Sequence, residues 1–341
     1  MSRRRLLLDR SPGEARGVVL LDGRPERLWI EREGDAWGPR LGERHRARVE
    51  EVSPGLGLAR LILAGALEAA LPLGKTDRPH RGASIEIEIA AEPRGGKAAV
   101  ARLIGPAAGP PEKLQAAPSL EARLAAAAPG AGVVGGEEAR EAADEAEEAV
   151  LDVVHALPGG VTLYIEPTHA LTAVDVDWSG PDRPSAAAAM RANIEALGAA
   201  ARLLRLKGIG GAVAIDLIGF PRDREAVLAA ARTAFAPDDP GVVVLAPNRF
   251  GLLQLAKPHL QRPLREVLCA DDGRLSASSV AHRLARALER QGRADPGARL
   301  LAESAPEVAR ALEPIVQAMG PRFQARERLG WDRLKTNITS A

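Results

Sequence analysis

Asp175 and Asp177 lie two residues apart in LTAVDVDWSG (171–180), and a third aspartate, Asp216, interrupts the apolar run AVAIDLIGF (212–220). In a strand, residues i and i+2 point the same way. Asp175 and Asp177 therefore share a face, and Val174 and Val176 take the other, in a run that otherwise reads as buried. Asp216 sits near the C-terminal end of its run, and open α/β sheets bind ligands at such strand ends. Neither run contains Lys or Arg, so three carboxylates on adjacent strands would repel one another, and a divalent cation would resolve the repulsion. Mg²⁺ takes one or two carboxylates, keeps several waters and fills its octahedron with phosphate oxygens. The pattern points to metal-assisted phosphodiester chemistry. Asp is also frequent at strand ends, where Asp177 would cap the segment that follows and Asp216 would accept backbone N–H bonds. Spacing alone leaves both readings open.

The elements that must position these residues read as α/β. Strand VTLYIE (161–166) turns through PTHA into the Asp175 strand. A helix over about 185–207, with Gly208 suited to its C-terminal cap, would carry the chain to the Asp216 strand. That strand reads as apolar on both faces, as a central strand does. A helix over 222–235, strand VVVLA (242–246) and the segment PNRFGLLQLAKP (247–258) follow. Farther on come a helix over 279–290, strand ARLLA (298–302), a helix beginning near Pro306, and a polar tail, 326–341, expected to be mobile at its end.

Upstream, residues 17–32 read as a β-hairpin whose two apolar runs flank DGRPE, with Asp-Gly as the turn signal. RARVEEV (46–52), LARLILA (58–64) and ASIEIEIA (83–90) are short strands. The last alternates cleanly, with Ile85, Ile87 and Ile89 on one face. Such a series predicts a small barrel. Residues 105–136 are rich in Pro, Gly and Ala and read as a partly disordered linker around a short helix at 119–127. An acidic helix is predicted over 137–157, with Ala139, Ala142, Ala146 and Val150 as its apolar stripe and its charges on a solvated face.

The totals exclude little. The chain has 341 residues with 46 Lys+Arg against 45 Asp+Glu, a net charge of +1 that neither demands nor forbids a nucleic-acid partner. Cys269 is the only cysteine, which excludes an internal disulfide and a Cys-rich zinc site. The six histidines show no ligand spacing. His169, in the turn before the Asp175 strand, reads as solvent-facing, and Trp178 as packing beside the site. No run approaches a membrane span, and the apolar run near the N-terminus is too short for a signal-peptide core. A cytoplasmic protein is expected.

Three stretches, LPGGVTLYIEPTHALTAVDVDWSG, GAAARLLRLKGIGGAVAIDLIGF and NRFGLLQLAK, resemble in order and spacing the catalytic core of the ribonuclease E/G family, bacterial endoribonucleases that act on single-stranded RNA. GVVLLDGRPERLWIERE resembles the family's opening hairpin. RARVEEVSPGLGLARLILAGALEAALPL and EPRGGKAAVARLIG resemble its S1 domain. The resemblance covers about 1–105 and 150–265 well, and 266–341 loosely. It implies an α+β multidomain fold: an N-terminal hairpin segment (1–40), an S1/OB-type RNA-binding β-barrel (41–105), a shortened linker and helix (106–150), an α/β DNase I-like catalytic domain (151–265) and a small C-terminal α/β region (266–341).

By the same resemblance, Asp175 and Asp216 match the aspartates that hold the catalytic Mg²⁺, and Asp177 stands where the family has a supporting Asn. Asp can accept or ligate there but cannot donate as an amide does. Lys97 and Arg249 match basic positions near the RNA. The base-stacking aromatics of the S1 domain align with Arg60 and Ala70, which implies weaker or different RNA binding; Arg60 retains the capacity to stack or to contact phosphate. The 5′-monophosphate sensor region is shortened. The zinc link needs a Cys-x-x-Cys pair from each of two subunits, and VLCADDG supplies one thiol, so no zinc and no zinc-linked dimer or tetramer is expected. The implied function is a Mg²⁺-dependent endoribonuclease acting on single-stranded RNA. The alternatives are a catalytically weak or inactive RNA-binding paralogue and, more remotely, a phosphodiesterase with another substrate.

Overall fold

The computed structural model describes residues 4–35, 38–74, 79–180, 182–238 and 240–340. Of the basic N-terminal stretch, residues 1–3 lie outside it. The remainder forms a strand, β1 (Arg4–Ser11), that the reading of residues 17–32 as an isolated hairpin did not include. It pairs with β2 (Glu14–Leu21), which pairs with β3 (Arg24–Arg32). The β2–β3 turn is the two residues Asp22 and Gly23, at φ 50° and 82°. That is the twist-matched hairpin geometry that Asp-Gly favours.

The barrel is closed. β4 (Arg44–Ser53), β5 (Leu58–Ile62), β6 (Glu68–Pro72), β7 (Ser84–Ala91) and β8 (Ala99–Pro106) pair in the ring β4-β5-β6-β8-β7, and β7 returns to β4. β6–β8 is parallel and the other pairs antiparallel, an arrangement consistent with an OB-type fold. Ile85, Ile87 and Ile89 point inward with Val49, Leu61 and Leu71.

The Pro/Gly/Ala-rich stretch has more structure than a linker. β9 (Glu112–Gln115) lies along β4, α1 (Leu120–Ala127) packs on β2, and β10 (Val133–Val134) extends the N-terminal sheet beside β1. Ser119 caps α1 by accepting the Ala122 N–H. Leu120 comes so close to the sheet that a Cβ on Gly17 would stand 2.8 Å from its Cδ1. Any larger residue at position 17 would require the Leu120 side chain to shift.

α2 (Glu137–Leu151) ends earlier than predicted. Asp152 is extended, and β11 (Val154–Leu157) is an edge strand. β12 (Val161–Pro167), β13 (Thr172–Trp178), α3 (Ala186–Leu206), β14 (Gly211–Asp216), α4 (Arg224–Phe235), β15 (Val243–Val244) and β16 (Leu252–Lys257) complete a six-stranded sheet ordered β11-β12-β13-β14-β16-β15. α3 runs between this sheet and the N-terminal sheet, beside α2, and all share one core. Ala196, Ala200 and Ala201 of α3 and Ala139, Ala143 and Ala146 of α2 are fully buried. Alanine lets helices approach closely, which is how a chain with 3% aromatics fills its interior.

After α5 (Leu264–Leu268), α6 (Ala277–Ala294) and α7 (Pro306–Met319) pack with β17 (Leu300–Ser304), β18 (Phe323–Glu327) and β19 (Thr336–Ser340) around a second core. The tail, expected to be mobile at its end, supplies the last residues of β18 and all of β19, and the two strands flank β17. Among the described residues no helix is long and apolar enough to cross a membrane.

Glu137, Glu138, Glu141, Glu145 and Glu148 of α2 are exposed, as the expected solvated face requires, but two of its charges depart from that expectation. Arg140 and Glu147 are buried. Glu147 accepts hydrogen bonds from Arg16 of β2 at 3.1 Å and from Arg286 and Arg283 of α6 at 3.0 and 2.7 Å. Arg16 is wholly buried; it also donates to Asp9 at 2.7 Å and to Asp144 at 2.7 Å. Glu14 joins Arg286 and Arg32. Burial alone would raise the Glu147 carboxyl pKa, but the guanidinium charges of Arg286, Arg283 and Arg16 hold it below the usual range. Arg16→Met leaves buried carboxylates unmatched. It is expected to cost about 3–5 kcal/mol, read from the urea midpoint.

A second buried carboxylate ties the barrel together. Glu43 meets His45 of β4 at 2.9 Å and accepts from Lys113 of β9 at 2.7 Å. Burial pushes this acid up, yet the His45 and Lys113 hydrogen bonds outweigh it and hold the pKa at about 2. A depressed folded-state pKa means stability present above the unfolded value near 4.5 and lost as pH falls toward 2. Glu43→Gln is expected to lower stability by about 1–2 kcal/mol at pH 7. Thermal unfolding against pH should show that difference shrinking below pH 4.5.

Candidate active site

β13 and β14 are parallel, with Asp175 directly opposite Asp216 in the register. Adjacent strands run about 4.8 Å apart, so the two carboxylates leave the sheet side by side. Val174 and Val176 of β13 and Val213 and Ile215 of β14 fill the other face, where α3 and α4 pack. This corrects two expectations. β14 is buried on one face only, since Ala212 and Asp216 are exposed. The three aspartates are likewise exposed rather than buried, because the helices pack on one side of the sheet.

Asp175 carries the strain of the arrangement. Partial burial, then the charges of Asp216 and Asp177, raise its pKa above the ordinary carboxylate value, partly offset by a hydrogen bond from the Val176 N–H. Asp177 lies on the same face, but its Oδ1 accepts the N–H of Trp178 at 2.8 Å. Among the described residues no group of three His, Cys, Asp or Glu side chains is placed to hold a metal. The donor set is the Asp175–Asp216 pair. A pair of carboxylates suits Mg²⁺, which completes its shell with water and phosphate.

The aspartates line a cleft of about 1060 Å³ together with Trp178, Asn193, Phe220, Arg183 and Arg222. Trp178 donates its indole N–H to the Asp182 carbonyl at 2.8 Å, which fixes one wall. Asn193 of α3 is buried and clamps the chain just beyond Asp216: its Oδ1 accepts from the Ile218 N–H at 2.9 Å, and its Nδ2 donates to the Ile218 carbonyl at 3.2 Å. Sequence reasoning missed Asn193. The available signal was an amide among the alanines of a helix face that packs inward.

Arg249 lies at the same end of the sheet. β16 is antiparallel to β14 with Leu252 opposite Asp216, so residues 248–251 sit beside the carboxylate pair. The Asn248 Oδ1 accepts from the N–H groups of Phe250 and Leu252 at 2.8 and 3.2 Å, shaping a turn that leaves Arg249 and Phe250 exposed. Gly251 closes the turn at φ 88°.

The barrel residues lie elsewhere. Arg60 of β5 is directly opposite Ala70 of β6 and pairs with Glu68 and Glu51 at 3.2 and 3.7 Å, so carboxylates already meet its charge. Lys97 closes the turn Arg94–Lys97, whose Gly95 N–H donates to Glu266 at 3.0 Å. Lys97 and Arg94 face His259, which packs against Gly210 and Gly211 at the start of β14. Asp216 ends that strand, about 16 Å farther on at 3.3 Å per residue. Asp175, Asp177, Asp216 and Arg249 therefore lie at one end of the sheet, and Lys97 lies toward the other. His169 is exposed and stands outside the cleft, as expected.

Residues 138–260 match the Ribonuclease E/G family. The matched span holds every residue of the cleft. Over that span the chain is similar to the ribonuclease E/G family. Ribonuclease E of Haemophilus influenzae is 35% identical over 114 residues, 32% of this chain and 12% of that protein. Ribonuclease E of Escherichia coli K12 is 34% identical over 114 residues, covering 32% and 11%. Ribonuclease G of Escherichia coli K12 is 29% identical over 168 residues, 46% of this chain and 34% of that protein. The chain thus matches between about a tenth and a third of the length of these family members.

Repulsion at Asp175 opposes folding above the ordinary carboxylate pKa, the reverse of Glu43: a raised folded-state value favours the protonated form and is costly at pH 7. Asp175→Asn is expected to stabilise the metal-free protein at pH 7 slightly, by no more than about 0.5 kcal/mol given its solvent exposure, read as a small rise in melting temperature. The difference should fade in melts below pH 4.

Proposed function

We propose that the chain is an endoribonuclease that hydrolyses phosphodiester bonds of single-stranded RNA, with Mg²⁺ held by Asp175 and Asp216. The carrying observation is the parallel register that sets Asp175 opposite Asp216 at the mouth of an arginine-rimmed cleft. The bound ion supplies a water of lowered pKa and charge stabilisation on the scissile phosphate. Arg183, Arg222 and Arg249 offer planar donors to the flanking phosphates. Asp177, with one oxygen held by the Trp178 N–H, keeps its second oxygen to accept a hydrogen bond from the attacking water or an RNA hydroxyl. Asn193 keeps the backbone behind Asp216 still, so the carboxylate pair is pre-aligned. Under the same reading the six-stranded unit is the DNase I-like catalytic domain, the barrel is an S1-type module, and the protein acts in the cytoplasm.

The ion-paired Arg60 and the Asp at position 177 favour a second reading, an RNA-binding paralogue with little or no catalysis. One assay separates the two: cleavage of a fluorescent A/U-rich oligoribonucleotide with and without Mg²⁺. Asp175→Asn and Asp216→Asn are each expected to reduce the Mg²⁺-dependent rate on the order of a hundredfold or more. Wild-type rates in both variants would remove the metal site. Salt-sensitive RNA binding without cleavage would leave the paralogue.

A further inference from the structure

The chain contains four phenylalanines. Phe235 and Phe323 are buried, as large apolar rings ordinarily are, but Phe220 is 58% and Phe250 78% exposed. Both exposed rings belong to the loops that flank Asp216. Phe220 is four residues beyond it on the cleft wall, and Phe250 is two residues before Leu252, the partner of Asp216 in the sheet. The two loops touch, since a Cβ on Gly251 would stand 3.3 Å from the Gly219 carbonyl oxygen. Side-chain amides hold the backbone of both loops close to the rings. Asn193 clamps Ile218 through both its N–H and its carbonyl, and Asn248 clamps Phe250 and Leu252.

The cations around these rings are Arg183, Arg222 and Arg249. Exposed aromatics interleaved with cationic side chains are what a surface for single-stranded nucleic acid requires, rings for the base faces and cations for the phosphates. The barrel lacks that combination. Residues 41–106 contain no Phe, Tyr or Trp, and Arg60 is held by Glu51 and Glu68.

We propose that Phe220 and Phe250 are the base-stacking platform of this protein, positioning the nucleotides that flank the scissile phosphate at the catalytic rim rather than on the barrel. The inference rests on reading the cleft as the RNA-cleaving site. It makes Phe220 and Phe250 positioning residues: they hold RNA by its bases, and the aspartates act on the phosphate between.

The test uses the full chain in EDTA, so that binding is read without cleavage. The probes are a fluorescein-labelled uridine 12-mer and an abasic 12-mer with the same backbone. Phe220→Ala and Phe250→Ala are each expected to weaken binding of the uridine oligomer about tenfold while leaving the abasic oligomer unaffected. Phe250→Trp should restore affinity, and Phe250→Leu, apolar but unable to stack, should not. Unchanged affinity in the alanine variants, equal losses on both oligomers, or no wild-type preference for the base-bearing one would overturn the platform. So would sedimentation showing a wild-type dimer that these variants split, which would assign the rings to a contact between copies. A protein that stacks bases but never cleaves would overturn the nuclease reading and leave the platform standing. A nuclease whose variants bind and cleave as wild type would overturn the platform alone.

Discussion

Arg16 is a wholly buried cation, and the way its charge is met ties the molecule together. Its carboxylate partners come from β1 and α2, and through Glu147 and Glu14 it connects to Arg286 and Arg283 of α6. The N-terminal sheet, the helix layer and the C-terminal region thus meet in one ionic cluster. Buried ions must be paired or the structure is lost. The geometry of that cluster therefore bears on how α2, and α3 beside it, sit beneath the six-stranded sheet. A purely apolar junction of alanines would hold these layers with less directional preference.

The candidate site uses the opposite electrostatics. Where the core pairs its charges, the strand ends leave Asp175 and Asp216 facing each other without a cation, in register and open to solvent. The cost is small because water screens it. The neighbouring backbone is held by side-chain amides: Asn193 behind Asp216 and Asn248 beneath Phe250. The cleft is polar and mismatched at its mouth and braced just behind it, which is the division of labour expected of a site pre-organised for chemistry.

Much of this was legible in the linear chain. The i, i+2 aspartates announced a shared face, Asp-Gly announced the hairpin turn, and the Ile85–Ile89 alternation announced a barrel wall. Periodicity also found α3 and placed Gly208 at its end. The misses share a cause. Buried Glu147 of α2 read as solvated with the rest of that face because its partners lie more than 100 residues away, in β2 and α6. The 105–136 stretch read as linker because a two-residue strand and a helix of eight residues carry almost no periodic signal.

The sequence by itself determined which chemistry is available: three carboxylates on strands, a single thiol, arginines for phosphate and few aromatics. These depend on residue type and on the two-residue period of a strand, both local. The tertiary structure decided which of those groups act together. Parallel pairing of β13 with β14 selected Asp175 and Asp216, the Trp178 N–H drew one oxygen of Asp177 away, and the β16 register brought Arg249 and Phe250 to the same edge. Strand register and helix placement are set by packing of the whole chain, so no local pattern could have announced them.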